Sequence, residues 1–126
     1  MRLLLDTHVV LWQFAGHRSL GPQTEQAVAA ATELRMSVVS FAEIGVKVSI
    51  GKLTVPPGLH DDVTAAGVRV LGLSGEHGLQ VADLPLHHRD PFDRLLIAQA
   101  IAEDLVLVTA DERIHAYDVQ TIDART

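Results

Sequence analysis

Short apolar runs alternate along the chain with longer segments in which apolar residues recur at helical spacing. Runs of about 4–8 apolar residues are typical of strands buried on both faces of a sheet, and the spacing i, i+3, i+4, i+7 predicts a helix. The predicted strands are 2–5, 34–39, 68–71, 105–109 and 119–122. The predicted helices are 7–15, 22–33, 40–50, 59–66, 76–82, 92–103 and 111–115.

This alternation of strands and helices predicts an α/β fold with a central, mostly parallel sheet between two layers of helices. No internal repeat, linker or low-complexity tract interrupts the pattern. We therefore expect a single three-layer α/β/α domain over residues 1–126.

The composition, 48% hydrophobic and 21% charged, excludes a disordered or fibrous protein. The chain has no cysteine, which fits a reducing compartment. The apolar run before Asp6 is too short for a signal peptide, and no later stretch is long enough to span a membrane. We expect a soluble cytoplasmic protein with no membrane partner.

The net charge of −6 argues against a nucleic-acid partner, since proteins that bind phosphates usually have basic surfaces. A metal site made of several carboxylates would supply much of this negative charge, and bound cations would reverse its local sign. The net charge alone therefore decides little about function.

Four acids lie near the ends of predicted strands. Asp6 directly follows the first strand, and Glu43 is predicted in the first turn of the helix after the second. Asp93 is predicted in the first turn of the helix that Pro91 opens, and Asp111 follows the fourth strand. Because ligand sites of parallel sheets form beyond the carboxyl ends of the strands, we expect these four side chains to meet in one pocket.

Each acid also has a purely structural explanation. Asp6 and Asp111 precede predicted helices and fit helix caps, and Asp90 fits the N-cap of the helix opened by the following proline. Ser40 and Glu43 match the capping-box pattern S-x-x-E. The hypothesis of a shared site therefore rests on the four acids together.

Converging carboxylates repel one another unless protons or cations intervene. Hard divalent cations such as Mg²⁺ or Mn²⁺ bind oxygen ligands and relieve this repulsion. Such a site can activate a water and stabilise the leaving oxygen of a phosphodiester. The number of ions, one or two, stays open.

Four segments carry a family resemblance: LLLDTHVVLW from residue 3, SFAEI from residue 40, DPFDRLLIAQA from residue 90, and LVTAD from residue 107. They resemble the PIN-domain toxins of the VapC type in order and spacing. The resemblance implies a PIN-like domain and a Mg²⁺-dependent endoribonuclease, with Mn²⁺ as the alternative ion. It also implies that the enzyme is the toxin of a toxin–antitoxin pair, bound by a small antitoxin protein and itself a homodimer.

By the same resemblance, Asp6, Glu43, Asp93 and Asp111 are the catalytic and metal-binding residues. Asp6 and Asp93 are the expected principal metal ligands, and either Glu43 or Asp111 is expected to orient or deprotonate the attacking water.

Three further residues are expected near this site. Thr7 and Thr109 resemble hydroxyl positions that line PIN sites, and Asp90 is an alternative to Asp93 on the same helical turn. Asp93 is preferred because the residues three, four and seven positions after it are apolar.

Five cations fall near the predicted acidic edge: Lys47, Lys52, Arg89, Arg94 and Arg113. As a set they are candidates for contacts with an RNA backbone; individually, each also fits a solvated surface charge.

The histidines and the single tryptophan have less specific interpretations. His87 and His88 are expected in a solvated loop near RNA, since no cysteine or His-x₃-His spacing supports a zinc site. Trp12 fits the core, a dimer surface or a platform for base stacking.

Two other functions compete with ribonuclease activity. An aspartyl phosphotransfer enzyme of the haloacid-dehalogenase type would need an acid two residues after Asp6, where the chain has His8. A catalytically silent PIN-like module that binds RNA or protein is the main alternative, although the presence of all four acids favours activity.

Overall fold

A five-stranded sheet forms the centre of the computed structural model, which describes residues 1–126. The strands are β1 (Arg2–Leu5), β2 (Glu33–Ser37), β3 (Arg69–Leu71), β4 (Val106–Thr109) and β5 (Thr121–Asp123). Their order is β3-β2-β1-β4-β5, and all four pairings are parallel. After β1 the chain adds β2 and β3 on one side of that strand, and later it adds β4 and β5 on the other side. The gap between β1 and β4 is therefore a topological switch point, where parallel sheets usually form their sites.

Helices cover both faces of the sheet, so the predicted three-layer α/β/α fold is confirmed. They are α1 (Thr7–Phe14), α2 (Pro22–Ala30), α3 (Val38–Ser49), α4 (Leu59–Ala65), α5 (Gly75–Gln80) and α6 (Pro91–Glu103). One short 3₁₀ turn, Val81–Asp83, lies between α5 and α6. A second, Ile114–Ala116, lies between β4 and β5, where the sequence predicts a short α-helix. No helix is both long and apolar enough to cross a membrane.

Alternate residues of β1 enter two separate hydrophobic cores, as expected for a strand buried on both faces. Leu3 and Leu5 pack in a core that includes residues of α1, α3 and α4. Leu4 packs in a second core with Ile97 and Ala100 of α6. The burial of these three leucines explains why the run before Asp6 is uniformly apolar, and it fixes the position of that acid at the end of the strand.

The boundary between β2 and α3 lies earlier than predicted. The sequence suggests that the strand continues through the β-branched Val38 and Val39, but α3 already begins at Val38. The N-cap is Ser37, whose Oγ accepts the backbone N–H of Val39 at 3.0 Å. The predicted capping box of Ser40 and Glu43 is therefore wrong, and Glu43 lies beyond the first turn of its helix.

Candidate functional site

The carboxyl ends of β1 and β4 open into a groove of about 530 Å³ with charged and polar walls. Glu43, Asp93 and Asp111 line this groove. Asp6 and Asp111 line an adjoining pocket of about 210 Å³. The four predicted acids are thus neighbours at one edge of the sheet.

Asp6 is buried and both of its carboxylate oxygens accept hydrogen bonds. Oδ1 caps α1 by accepting the backbone N–H of Val9 at 2.9 Å, and Oδ2 accepts the hydroxyl of Thr109. Burial raises the pKa of Asp6 above its ordinary value, and these two hydrogen bonds oppose the rise. The side chain therefore acts as a helix cap and also faces the acidic cluster, so the two interpretations of Asp6 are compatible.

Thr109 connects two of the acids. Its hydroxyl donates to Asp6 and accepts the backbone N–H of Asp111 at 3.1 Å. Thr7, the other predicted hydroxyl, instead donates to Ser40 Oγ at 2.9 Å and links α1 to α3. Of the two threonines, only Thr109 contacts the acids directly.

Glu43 projects from α3 and is almost completely buried, with 2% of its surface exposed. Oε2 accepts a hydrogen bond from Lys47 Nζ at 2.7 Å, which raises the pKa of the lysine. Oε1 is buried and has no hydrogen-bond partner. Because an unpaired buried carboxylate oxygen is costly, its presence indicates a missing ligand or proton at this point.

Asp93 lies on the first turn of α6 and is 8% exposed. Burial raises its pKa to about 6, and the charges of Asp90, Asp6 and Glu43 contribute to the rise. Asp90 is the N-cap of α6, as predicted, and accepts the backbone N–H of Asp93 at 3.0 Å. Of the two acids on this turn, Asp93 is the buried one.

Asp111 has a different environment from the other three acids. Burial tends to raise its pKa, but hydrogen bonds from the side chain and backbone of Arg113 outweigh this effect and hold the pKa below its ordinary value. Both of its oxygens accept hydrogen bonds from Arg113, at 3.0–3.2 Å. Asp111 is therefore ionised and well satisfied without a metal ion.

His88 is the main residue that sequence reasoning missed. It is predicted in a solvated loop, but it is 4% exposed and its Nε2 lies 2.8 Å from Asp93 Oδ2 and 3.1 Å from Asp111 Oδ2. One possible metal-ligand atom from each of these three residues lies within 4.8 Å of the other two. The only available signal was that His88 precedes the predicted N-cap Asp90 by two residues.

The predicted RNA-contacting cations divide into three groups. Lys47, Arg89 and Arg113 line the groove, whereas Lys52 is exposed in the turn after α3 and does not. The prediction for Arg94 is wrong, because its guanidinium is buried and donates to the backbone carbonyls of residues 81, 84, 85 and 88 and to Tyr117. Arg94 is a structural residue that holds the loop before α6.

Trp12 is partly buried against the first core, and its ring lies beneath the guanidinium of Arg18, 5.0 Å from the ring centre. It also lines the small pocket beside Asp6 and Asp111, together with the exposed His8. This position is compatible both with the predicted core role and with a contact to a base near the acids.

The arrangement fits a hard divalent cation. Mg²⁺ and Mn²⁺ prefer oxygen ligands such as carboxylates. The free Oε1 of Glu43 and the raised pKa of Asp93 are the expected signs of acids that lack a neighbouring cation. Asp93 Oδ2 accepts from His88, and Oδ1 has no protein donor. Two of the acids thus retain an oxygen for an ion or for a water bound to it.

Comparison with known proteins agrees with this fold. The family model for the PIN domain matches residues 3–120. Ribonuclease VapC22 of Mycobacterium tuberculosis is 30% identical over 118 residues, which cover 91% of each chain.

Solved structures give the same result for the fold. VapBC2 from Rickettsia felis, bound to a DNA fragment from its promoter, superposes with a TM-score of 0.73 at 18% identity over 97% of this chain and 98% of that chain. DNA-bound VapBC from Salmonella typhimurium gives a TM-score of 0.70 at 15% identity over 98% of both chains. The chain belongs to the PIN domain family.

Proposed function

We propose that the chain is a divalent-metal-dependent endoribonuclease that hydrolyses RNA phosphodiester bonds and acts as the toxin of a toxin–antitoxin pair. The observation that carries the proposal is the acidic groove at the switch point of the sheet, with an unpaired buried oxygen on Glu43 and a raised pKa at Asp93. The similarity to a VapC ribonuclease supports the choice of RNA as substrate.

Asp6 and Asp93 would hold the ion, Mg²⁺ or Mn²⁺, and Glu43 would face it through a water. An ion bound there would supply positive charge to the scissile phosphate and lower the pKa of a bound water. Asp111 would act mainly as the partner of Arg113, because the guanidinium already balances its charge, whereas Asp6 accepts only from uncharged donors.

Glu43 is better placed than Asp111 to receive the proton of the attacking water. Its Oε1 has no donor, whereas each oxygen of Asp111 already accepts at least one. Lys47 holds the other oxygen of Glu43 and fixes the orientation of the carboxylate. The side chain can therefore accept a proton at Oε1 without giving up an existing hydrogen bond.

The groove has a cationic rim around an acidic floor, which suits a polyanion approaching bound metal. Lys47, Arg89 and Arg113 lie on this rim, and Arg89 and Arg113 are exposed. These side chains would contact backbone phosphates and position the RNA, while the negative net charge of the whole chain would be offset locally.

The proposed partners are an RNA substrate, a small antitoxin protein and a second copy of the chain, all in the cytoplasm. The support for an antitoxin is that solved structures with a similar fold include VapBC and FitAB assemblies. We expect expression of the chain alone to arrest growth and co-expression of its antitoxin to restore it. Normal growth with abundant soluble protein would contradict the toxin assignment.

Cleavage of a structured RNA by the wild type and by Asp6→Asn, each in Mg²⁺ and in EDTA, tests the enzyme assignment. We expect cleavage only by the wild type in Mg²⁺. Tight RNA binding without cleavage would support a catalytically silent binding module instead. Identical products from both proteins in both buffers would identify a contaminating nuclease and refute the assignment.

A further inference from the structure

His88 lies between two of the acids of the groove. Its Nε2 is within hydrogen-bonding distance of one oxygen of Asp93 and one oxygen of Asp111. One nitrogen therefore bridges two carboxylates that come from separate elements, α6 and the segment after β4. This contact joins the two sides of the groove.

The hydrogen bond at the other ring nitrogen assigns the proton. Nδ1 faces the backbone N–H of Asp90 at 3.3 Å, so Nδ1 is the acceptor. In a neutral imidazole the remaining nitrogen, Nε2, then carries the proton. Nε2–H is consequently a donor shared between Asp93 and Asp111.

The backbone of His88 is held as firmly as its ring. Its N–H donates to the hydroxyl of Tyr117 at 2.9 Å, and its carbonyl accepts from Arg94 at 3.3 Å. Arg94 also donates to the Tyr117 hydroxyl at 3.1 Å and to Pro85 O at 2.8 Å. All three side chains, His88, Arg94 and Tyr117, are buried. This network fixes the loop, and with it the direction of Nε2–H.

We propose that His88 is a positioning residue, whose Nε2–H holds the carboxylates of Asp93 and Asp111 together so that the free Oδ1 of Asp93 faces the divalent ion in the groove. This inference rests on the proposed function of the acidic groove. Without the shared donor the two carboxylates would repel each other and separate. Outer hydrogen-bond partners of metal ligands act in this way at many sites, and their loss commonly weakens metal binding about 10–100-fold.

Direct ligation of the metal by His88 is disfavoured by the same geometry. A ligating Nε2 would need its lone pair, so the proton would have to move to Nδ1. Nδ1 faces the N–H of Asp90, and two donors would then oppose each other. The donor role leaves every existing hydrogen bond intact.

Two substitutions separate the donor role from a purely structural one. His88→Gln retains an N–H donor near the position of Nε2, whereas His88→Leu has similar bulk and no donor. His17→Leu, in an exposed loop, is the matched control. Binding of Mn²⁺ is measured by calorimetry without RNA, the melting temperature is measured in EDTA, and kcat and KM are measured with RNA.

We expect His88→Leu to weaken Mn²⁺ binding at least tenfold, to lower kcat and to leave KM for RNA close to the wild-type value. His88→Gln should recover most of the Mn²⁺ affinity, and the control should match the wild type. Wild-type affinity in His88→Leu would overturn the proposal. An equal loss in His88→Gln and His88→Leu would overturn it in favour of direct ligation.

Tyr117→Phe provides a second test if His88→Leu does not fold. It removes the hydroxyl that holds the backbone of His88 and leaves the imidazole in place, so we expect a several-fold weaker affinity for Mn²⁺. Unchanged affinity in a folded Tyr117→Phe protein would contradict the proposal. Since metal binding is measured without RNA, a wild type that binds Mn²⁺ but cleaves no RNA would refute only the proposed function.

Discussion

Replacing Asp93 by asparagine should stabilise the metal-free protein while it removes a proposed metal ligand. Burial and the charges of Asp90, Asp6 and Glu43 raise the pKa of Asp93 from 3.8 to about 6. Since each tenfold change in an equilibrium constant is about 1.4 kcal/mol, ionised Asp93 destabilises the folded state by about 3 kcal/mol well above pH 6. The Asp93 side chain is 12% exposed, so solvent screening reduces this value little.

The sign of the pH dependence follows from the raised pKa. The folded state favours the protonated acid, so the stability it contributes is fully present below about pH 3.8 and is lost as the pH rises through about 6. Asparagine has no charge to lose and can still accept a hydrogen bond from His88. In EDTA at pH 8 we therefore expect Asp93→Asn to be more stable than the wild type by up to about 3 kcal/mol, and at pH 4.5 by only about 1 kcal/mol.

Urea unfolding in EDTA at the two pH values measures this difference. The matched control is Asp61→Asn, because Asp61 is also in the first turn of a helix but its side chain is 95% exposed. The control should lose a few tenths of a kcal/mol at most, through the helix dipole. Saturating Mg²⁺ should stabilise the wild type and not Asp93→Asn. An Asp93→Asn protein less stable than the wild type at pH 8 in EDTA would refute the reasoning.

Three further substitutions test the supports of the site. Arg94→Met should lower the free energy of unfolding by about 3–5 kcal/mol, because it leaves buried carbonyls without donors. A loss below about 1 kcal/mol in urea unfolding would argue against the structural role of Arg94. Thr109→Val removes the hydroxyl that links Asp6 to Asp111 and should slow RNA cleavage at least tenfold, whereas Thr109→Ser should retain most activity; equal rates would show that the link is dispensable. Arg113→Ala should raise the pKa of Asp111 towards its ordinary value in an NMR titration of the carboxyl carbon, and an unchanged pKa would mean that Arg113 is not its cause.

The features that sequence reasoning predicted correctly are those set by local patterns. The run before Asp6 is a strand because both of its faces are buried, and the pair Asp90-Pro91 starts α6 because proline fits the first helical turn and aspartate caps it. These signals need only a few adjacent residues. They also place Asp6 and Asp93 at the same edge of the sheet once the strands are parallel.

The errors arose where two local signals competed. Ser37 and Ser40 lie three residues apart, and either serine can begin a helix. The β-branched Val38 and Val39 favoured the later start, but the folded chain caps α3 with Ser37. Tertiary packing decides between such alternatives, since the hydroxyl of Ser40 is occupied by Thr7 from α1.

The roles of His88 and Arg94 could not be predicted from the sequence because their contacts depend on how the loop before α6 folds and on residues more than twenty positions away. Helix α6 is buried on several sides, so its apolar periodicity does not mark Arg94 as an interior residue. The ring of His88 is fixed by Asp111 and its backbone by Tyr117, more than twenty residues later. The charged contacts that complete the site therefore form only when the fold brings β4 beside β1.

The most direct test of the account is the position of a bound ion. Crystals grown with Mn²⁺ should show an anomalous scattering peak in the groove, coordinated by oxygens of Asp93 and of Asp6 or Glu43, with Asp111 and His88 in contact through hydrogen bonds. The peak should be missing in crystals of Asp93→Asn. A peak outside this groove, or wild-type crystals saturated with Mn²⁺ that show none between these acids, would contradict the account.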